Sequence, residues 1–235
     1  MNLILLHDND WIDVDHVVLN DYRFVHIRQV LRSNVGDQLR VGSVGGLQGV
    51  GSIVGIDSED VHIKVELTNH GLPRHPFDLV LALPRPKMLR RIFRVVAEYG
   101  VNYLHLVNTA RVEKSYWQSP LLHPDQIKDA LFKGMERSMD TVCPQVFLHQ
   151  RFRPFVEDDL PGLCAGRSCW LTDKTATTPF SAVSHQPGIV MIGPEGGFVP
   201  FEIDLAESVM ATRVNLGQRI LSVDTAVTTV LAQVL

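Results

Sequence analysis

Cysteine is scarce in this chain. Cys143, Cys164 and Cys169 are the only three, and no two stand in Cys-x-x-Cys spacing. An odd count without that spacing excludes a complete disulfide framework and a thiolate zinc or redox site, leaving reduced thiols that fill space. Long apolar runs are missing too. No stretch approaches the roughly 20 residues needed to cross a bilayer, and the opening MNLILLHD carries neither the basic region nor the cleavage site of a secretory leader. The expectation is a cytoplasmic protein with no membrane association. Positive charge is not in excess: 22 lysines and arginines face 26 acids, for a net charge of −4. A generally basic nucleic-acid-binding surface is thereby disfavoured. There is no Gly-x-Ser-x-Gly elbow, no Gly-x-x-x-x-Gly-Lys-Ser/Thr loop and no His-Glu-x-x-His pair, and the ten histidines are scattered. Hydrolase, NTPase and zinc-enzyme chemistries lose their main support, and no metal site is expected.

What is present suits a folded protein with a sizeable core: 235 residues, 45% of them hydrophobic, enough for one large domain or a large and a small one. Short β-like runs at Gln38 to Val41, Gly49 to Ile56 and Val61 to Leu67, separated by turn residues, predict a small β-barrel. Gly49-Val50-Gly51-Ser52-Ile53-Val54-Gly55 superficially matches a dinucleotide fingerprint, but it leads into the turn Asp57-Ser58-Glu59-Asp60 and another β run rather than a helix, so it reads as hairpin. The stretch from Asn69 to Pro76, with one glycine and two prolines, predicts a linker and a division into domains 1–72 and 73–235. Beyond it, apolar runs at Leu79 to Leu83, Tyr103 to Val107, Cys169 to Thr172 and Ile189 to Ile192 alternate with helical patterns at Pro86 to Tyr99, Pro124 to Met139 and from about Asp224. That alternation predicts an α/β fold with a mainly parallel sheet flanked by helices.

Charge is unevenly spread. Between Leu79 and Ala97 stand Arg85, Lys87, Arg90, Arg91 and Arg94 without one acid. In the helix predicted there, Met88, Ile92, Val95, Val96 and Tyr99 fall on one face, and Lys87, Arg90, Arg91 and Arg94 share the other. Such a stripe is either a solvated face or a site for an anionic partner; without interleaved acids it gains nothing from i,i+4 pairing. Arg23, Arg28, Arg32 and Arg40 offer further cations in the first domain.

The most informative residues lie near the C-terminus. Val190-Met191-Ile192-Gly193-Pro194-Glu195-Gly196-Gly197-Phe198 and Leu216-Gly217-Gln218-Arg219-Ile220-Leu221 each place glycine at a tight bend. Glycine tolerates positive φ and lets main-chain N–H and C=O groups come close to a ligand, so the pair suggests a backbone-lined cradle for a planar, polar molecule such as an adenine. The simpler reading of the first bend is a strand-to-helix turn with Glu195 near a helix N-terminus. Asp224 likewise reads as an N-cap of the last helix, or as a functional carboxylate.

These two bends, with the following Ser222-Val223-Asp224-Thr225-Ala226, resemble the C-terminal signature of the SPOUT methyltransferases, specifically the family that methylates N3 of a uridine in small-subunit (16S) ribosomal RNA. Weaker matches run from His26 to Asp37, at Ala97 to Val101, at Arg111 to Lys114 and at Glu136-Arg137. The resemblance implies a C-terminal trefoil knot, a PUA-like barrel in front, a homodimer and an S-adenosylmethionine site. By resemblance, that site comprises Leu171 and Thr172 at a strand end, Ile192, Gly193, Glu195, Gly196 and Gly197 in the first bend, and Leu216, Gly217, Ile220 and Leu221 in the second. It further implies 16S rRNA, within the small ribosomal subunit, as partner. Arg28, Arg32, Lys87, Arg90, Arg91 and Arg94 are the candidate RNA contacts, Arg219 the group that binds or stabilises the base, and Asp224 the group that positions it.

The chain departs from the family's usual Leu-Gly-x-Arg-Ile/Val-Leu-Arg-x-Glu-Thr-Ala at two places: Ser222 stands for the second arginine and Asp224 for the glutamate. Two alternatives therefore stay open. One is an RNA-binding SPOUT-like protein with changed substrate or lost turnover; the other is a metabolic enzyme holding a nucleotide in the glycine pocket.

Overall fold

The computed structural model describes residues 1–234. By internal contacts the chain forms two compact units: Met1–Pro73 with Leu131–Cys143, and Arg74–Ala130 with Pro144–Leu235. The first break falls inside the expected linker. The return of residues 131–143 to the first unit is not signalled in the sequence, because it rests on long-range bonds. The N–H groups of Asn2 and Leu3 donate to the Glu136 carbonyl at 2.9 and 3.0 Å, and that of Gly45 to Thr141 O at 2.8 Å. The Tyr22 hydroxyl donates to Glu136 Oε1 at 2.6 Å.

In the first unit, β1 (Ile4–Leu6), β2 (His16–Leu19), β3 (Gln38–Ser43), β4 (Gln48–Ile56) and β5 (Val61–Asn69) form one sheet in the order β1-β3-β4-β5-β2, antiparallel except for the β1–β3 pair. It curls as a half-barrel. Period-two patterning decides which face is inside: in β5, Val61, Ile63 and Val65 are buried while Lys64 and Glu66 are exposed. The expected hairpin at Gly49–Gly55 is β4 pairing with β5. A helix, α1 (Tyr22–Val25), continues as a π-type turn over His26–Leu31 and ends at Arg32, whose φ of +56° is left-handed. Arg23 is no surface cation. It is 3% exposed and ion-paired to Asp10 and Asp21, because Asp21 caps α1 and turns the guanidinium inward.

In the second unit, β6 (Phe77–Ala82), β7 (Tyr103–Val107), β8 (Gln145–His149), β9 (Ser168–Thr172), β10 (Gly188–Ile192) and β11 (Thr212–Val214) form an all-parallel sheet in the order β11-β9-β10-β6-β7-β8. The expected α/β arrangement is present. Both β6 and β10 are buried at every position, as near-continuous apolar runs in the middle of a covered parallel sheet should be. The helices are α2 (Pro86–Glu98), α3 (Pro124–Ser138), whose residues from Leu131 on belong to the first unit, α4 (Phe152–Pro154), α5 (Leu160–Cys164), α6 (Pro200–Val209) and α7 (Val223–Leu231), with a π-type turn at Phe155–Asp159 between α4 and α5.

One core packs Phe152, Phe155, Val156 and Leu160 with Leu171, Ile189 and Met191 of the strands and Ala206 of α6. In α2 the buried residues are Leu89, Ile92, Phe93, Val96 and Ala97, so the apolar face is rotated by one position from the expected Met88-Ile92-Val95-Val96-Tyr99 set. The reason is tertiary: α2 packs against α7, and the buried stripe takes in Phe93. Each fully buried Leu, Ile or Phe contributes about 1.5–3 kcal/mol. Cys164 and Cys169 are buried in that core, as space-filling thiols should be, and Cys143 is half-buried.

Three histidines in this unit have defined partners. The N–H of Phe77 donates to His75 Nδ1 at 3.1 Å, so Nδ1 is the bare nitrogen and Nε2–H donates to Leu231 O at 2.9 Å, fastening the end of α7. His149 Nδ1 faces Asp159 Oδ2 at 3.4 Å, and its Nε2 lies 3.0 Å from Nδ1 of buried His105. Burial, with His149 and Arg167 nearby, pushes His105 down to about 4. The fold therefore disfavours its protonated form: stability is complete above the unfolded value near 6.5 and is lost as pH falls toward 4. Thermal unfolding followed from pH 7 to pH 4 should show a loss of the order of 2–3 kcal/mol that His105→Gln removes from the slope. A wild-type and variant slope that coincide would exclude His105 as the titrating group.

Candidate active site

Parallel strands end at one edge of a sheet, so the segments after β9, β10 and β11 all emerge on the same side, where α/β sheets place ligands. Together with Arg111, from the loop after β7, and Pro200, Ile203 and Asp204 of α6, they enclose a cavity of about 630 Å³. Its lining comprises residues 192–198 of the first bend, Leu216, Gly217, Arg219, Ile220 and Leu221 of the second, and Thr172, Asp173, Lys174 and Thr175 after β9.

The first bend closes with Gly197 N–H donating to Pro194 O at 2.7 Å, and Gly197 sits at φ +73°. It leads into α6, where buried Glu202 accepts from Val199 N–H at 3.0 Å and, with its other oxygen, from Ala110 N–H at 2.7 Å. Glu202 thus ties the loop after β7 to the bend. Arg111 completes the link: its guanidinium donates to the carbonyls of Gly196 and Gly197, and its side chain occupies the space that a Cβ at Gly196 would need. At the rim, Arg85 Nε stands 3.5 Å from Glu195 Oε1.

The second bend is held by Asn215. Its N–H donates to Thr178 O, its amide to Ala176 O and its carbonyl accepts from Phe180 N–H, each at 2.9 Å, and its side-chain oxygen accepts from Gly217 N–H at 3.0 Å. Gly217 has φ +111°, which lets the chain fold back. Among the described residues the N–H groups of Arg219, Ile220 and Leu221 donate to no protein acceptor. They are open donors on a cavity wall. Near β11, burial alone would raise the Asp173 carboxyl, but the N–H and hydroxyl of Thr175 and the Arg213 guanidinium hold it below the usual carboxylate range.

Of the expected cradle residues, Thr172, Ile192, Gly193, Glu195, Gly196, Gly197, Leu216, Gly217, Ile220 and Leu221 line this cavity, as does Arg219. Leu171 does not. It is fully buried in the core among Met191 and Phe155, because strand alternation points it away from the side chain of Thr172. Asp224 is not on the wall either. It is 6% exposed at the second position of α7, and the N-cap position is held by Ser222 rather than by Asp224. The two departures from the family pattern meet here: Ser222 Oγ donates to Asp224 Oδ1 at 2.6 Å, and Arg91 Nη1 stands 3.2 Å from Asp224 Oδ2.

On α2, Lys87, Arg90 and Arg91 are exposed and Arg94 is half-buried; among the described residues Lys87, Arg90 and Arg94 have no acidic partner. In the first unit Arg28 and Arg32 are exposed, with Arg28 lying over the Phe24 ring and donating to Ser58 O at 3.1 Å. Sequence reasoning did not assign Arg111, Asn215 or Asp173 to the site. Arg111 lay within one of the matched stretches, just past an apolar strand, which was its only signal.

No helix among the described residues is long and apolar enough to cross a membrane. Two groups, Asp13-Asp15-His16 and Asp57-Asp60-His62, have spacing a metal ion would accept, and both are surface ion pairs in the first unit.

Comparison with known proteins agrees with this geometry. The chain is 28% identical, over its whole length and 91% of the relative's, to the ribosomal RNA small subunit methyltransferase E of Treponema pallidum. It is also 28% identical, over 93% of this chain and 72% of the relative, to the protein of the same name from Synechocystis. Its fold matches that of a ribosomal RNA small subunit methyltransferase E from Neisseria gonorrhoeae bound to S-adenosyl methionine, with a TM-score of 0.78 at 18% identity over 99% of this chain and 95% of the other. A methyltransferase of Legionella pneumophila in complex with the same cofactor matches with a TM-score of 0.75 at 19% identity, over 98% and 95% of the two chains. The family model of the RNA methyltransferase domain matches residues 71–235, and the chain belongs to that family.

Proposed function

We propose that this protein transfers a methyl group from S-adenosylmethionine to N3 of a uridine in small-subunit (16S) ribosomal RNA, acting in the cytoplasm as a homodimer on RNA within the small subunit. The observation that carries the reading is the cavity walled by two glycine bends with open N–H donors. Its volume of about 630 Å³ lies in the range of small-molecule sites. The donors of Arg219, Ile220 and Leu221 suit the ring edge of an adenine, while Ile192, Leu216 and Ile220 offer its faces apolar contact. Leu171 supports the strand end from the core side. The likeness, over 93% or more of this chain, to proteins named for small-subunit ribosomal RNA supports the substrate class.

The cofactor, when bound, supplies a sulfonium methyl already activated for displacement. What remains for the chain is alignment and charge. N3 of a uridine is a poor nucleophile until its proton is removed, and a guanidinium beside it favours the anion. Arg219 is exposed on the wall without a protein partner among the described residues, so it is free to meet that anion or a neighbouring phosphate. Holding the reacting atoms in line accounts for a large part of such a rate enhancement. Asp224 acts from behind the wall.

In this reading the RNA is held by Arg28 and Arg32 on the PUA-like half-barrel and by Lys87, Arg90 and Arg94 on α2 of the SPOUT domain, whose C-terminal segments form the trefoil knot; Arg91, expected among these contacts, is paired to Asp224 instead. Lys87→Glu with Arg90→Glu should weaken RNA binding and make log affinity against log salt shallower by about one per lost phosphate contact, leaving cofactor affinity as it was. An unchanged salt slope in filter binding would return the stripe to solvent.

The direct test is transfer of a labelled methyl group to undermethylated small subunits, with nucleoside analysis of the RNA. Appearance of 3-methyluridine supports the activity. One observation favours a second reading: no cation stands at Ser222, and Asp224 is turned from the cavity. Cofactor and RNA binding without any methylated nucleoside would identify a binding protein that has lost turnover.

A further inference from the structure

Asp224 is a carboxylate buried at the start of a helix, one residue from the cavity wall formed by Val223 and Ala226. A buried anion must be paired, and this one is paired by two groups from different places in the chain. Ser222 Oγ donates to Oδ1 at 2.6 Å and also lies 2.9 Å from Thr225 Oγ1, closing the first turn of α7 on itself. Arg91 reaches from α2 to within 3.2 Å of Oδ2. The carboxylate stands in the first turn of α7, where the helix dipole favours it, and its two oxygens have separate donors. Shortly before it run Arg219, Ile220 and Leu221, which line the cavity and whose N–H groups donate to no protein acceptor among the described residues.

We propose that Arg91 and Ser222 are positioning residues: through Asp224 they lock the start of α7 to α2 and so hold segment 219–221 in the form that receives the cofactor and presents Arg219. This rests on the proposed methyl-transfer function for its catalytic readout, but not for its structural one. It separates Arg91 from its neighbours Lys87 and Arg90 on the basic stripe. Its guanidinium serves the cavity wall from outside, with the other nitrogens at the surface, where the side chain is 66% exposed.

The test compares Arg91→Ala, Arg91→Lys, Ser222→Ala and the Arg91→Ala/Ser222→Ala pair in the full chain. Calorimetry with S-adenosylmethionine, hydrogen exchange and methyl-transfer kinetics on undermethylated small subunits are the readouts. Arg91→Ala is expected to weaken cofactor binding about fivefold to tenfold, speed exchange at residues 219–226 selectively, and lower kcat about tenfold with little change in KM for the RNA. Arg91→Lys should restore part of each loss, since an ammonium still pairs with Asp224. The double variant should lose less than the product of the single effects, because both act on one carboxylate. Should Arg91→Ala instead raise KM for the RNA with cofactor affinity, exchange and kcat unchanged, Arg91 is a phosphate contact and the lock is wrong. If exchange rises across the whole second unit, Asp224 serves general stability and the proposal also fails. If the wild-type protein methylates no RNA, the proposed function falls, while exchange at 219–226 still decides the lock.

Discussion

Replacing Gly197 with valine lowers affinity for S-adenosylmethionine at least tenfold in calorimetry. The residue sits at φ +73°, in the left-handed region where a β-branched side chain is an outlier. Forcing it there costs of the order of 1–3 kcal/mol, which the chain can relieve only by flipping the bend. Relief moves the main chain of 193–197 and breaks the links that stabilise it, namely Gly197 N–H to Pro194 O and the Arg111 guanidinium on the carbonyls of Gly196 and Gly197. A second variant separates strain from bulk. Gly196→Ala asks only that Arg111 move aside, since a Cβ there would lie 2.9 Å from Arg111 Cδ. It should therefore weaken binding less than Gly197→Val. Unchanged affinity in Gly197→Val would remove the bend from the cofactor site.

Arg23→Ala destabilises the first unit by about 3–5 kcal/mol in urea unfolding, the range for breaking a buried ion pair from one side. All five guanidinium donors are used. Nη1 donates to Leu5 O and Asp10 Oδ2 at 2.5 Å, Nη2 to Asp10 Oδ1 at 2.7 Å and Asp21 Oδ2 at 2.8 Å, and Nε to Asp21 Oδ1 at 3.0 Å. The alanine variant leaves Asp10, itself 9% exposed, with the His7 N–H at 2.6 Å as its remaining short donor. Arg23→Lys recovers little, because a single ammonium cannot span two carboxylates and a carbonyl. There is a pH signature. Burial raises the Asp21 carboxyl, but hydrogen bonds and charge from Arg23 outweigh it and hold the group low. A depressed carboxylate stabilises the fold above its unfolded value near 3.8 and loses that contribution as pH falls further. The acid limb below pH 4 should be shallower in Arg23→Ala. A loss under 1 kcal/mol would show that the network is replaced by water at little cost.

The strands β6, β7, β9 and β10 and the helices α2 and α3 were legible because each carries an uninterrupted pattern of its own period. Among the elements that were missed, β1, β2, β8, β11, α1, α4 and α5 are three to five residues long. Their form comes from pairing. β1, for instance, exists as the parallel partner of β3, and β11 as the edge beside β9. Arg23 was misjudged for the same reason. Its fate is set by Asp10, thirteen residues away, and by a cap that turns its side chain inward.

The sequence by itself determined that two bends near the C-terminus expose main chain, because only glycine takes φ of +73° and +111° without strain. It determined equally that the second part is α/β, since alternating runs of strand and helix length leave few other ways to bury their apolar faces. Only the tertiary structure decided what those bends enclose. Parallel pairing of β9, β10 and β11 gathers three separated loops around one cavity, Glu202 and Arg111 bring in a fourth, and Arg91 crosses from α2 to the buried Asp224. The physical reason is range: φ preferences and hydrophobic period act within a few residues. The pairing of buried Asp224 with Arg91 and the register of β6 with β10 join residues more than a hundred positions apart, and exist only once the chain has folded.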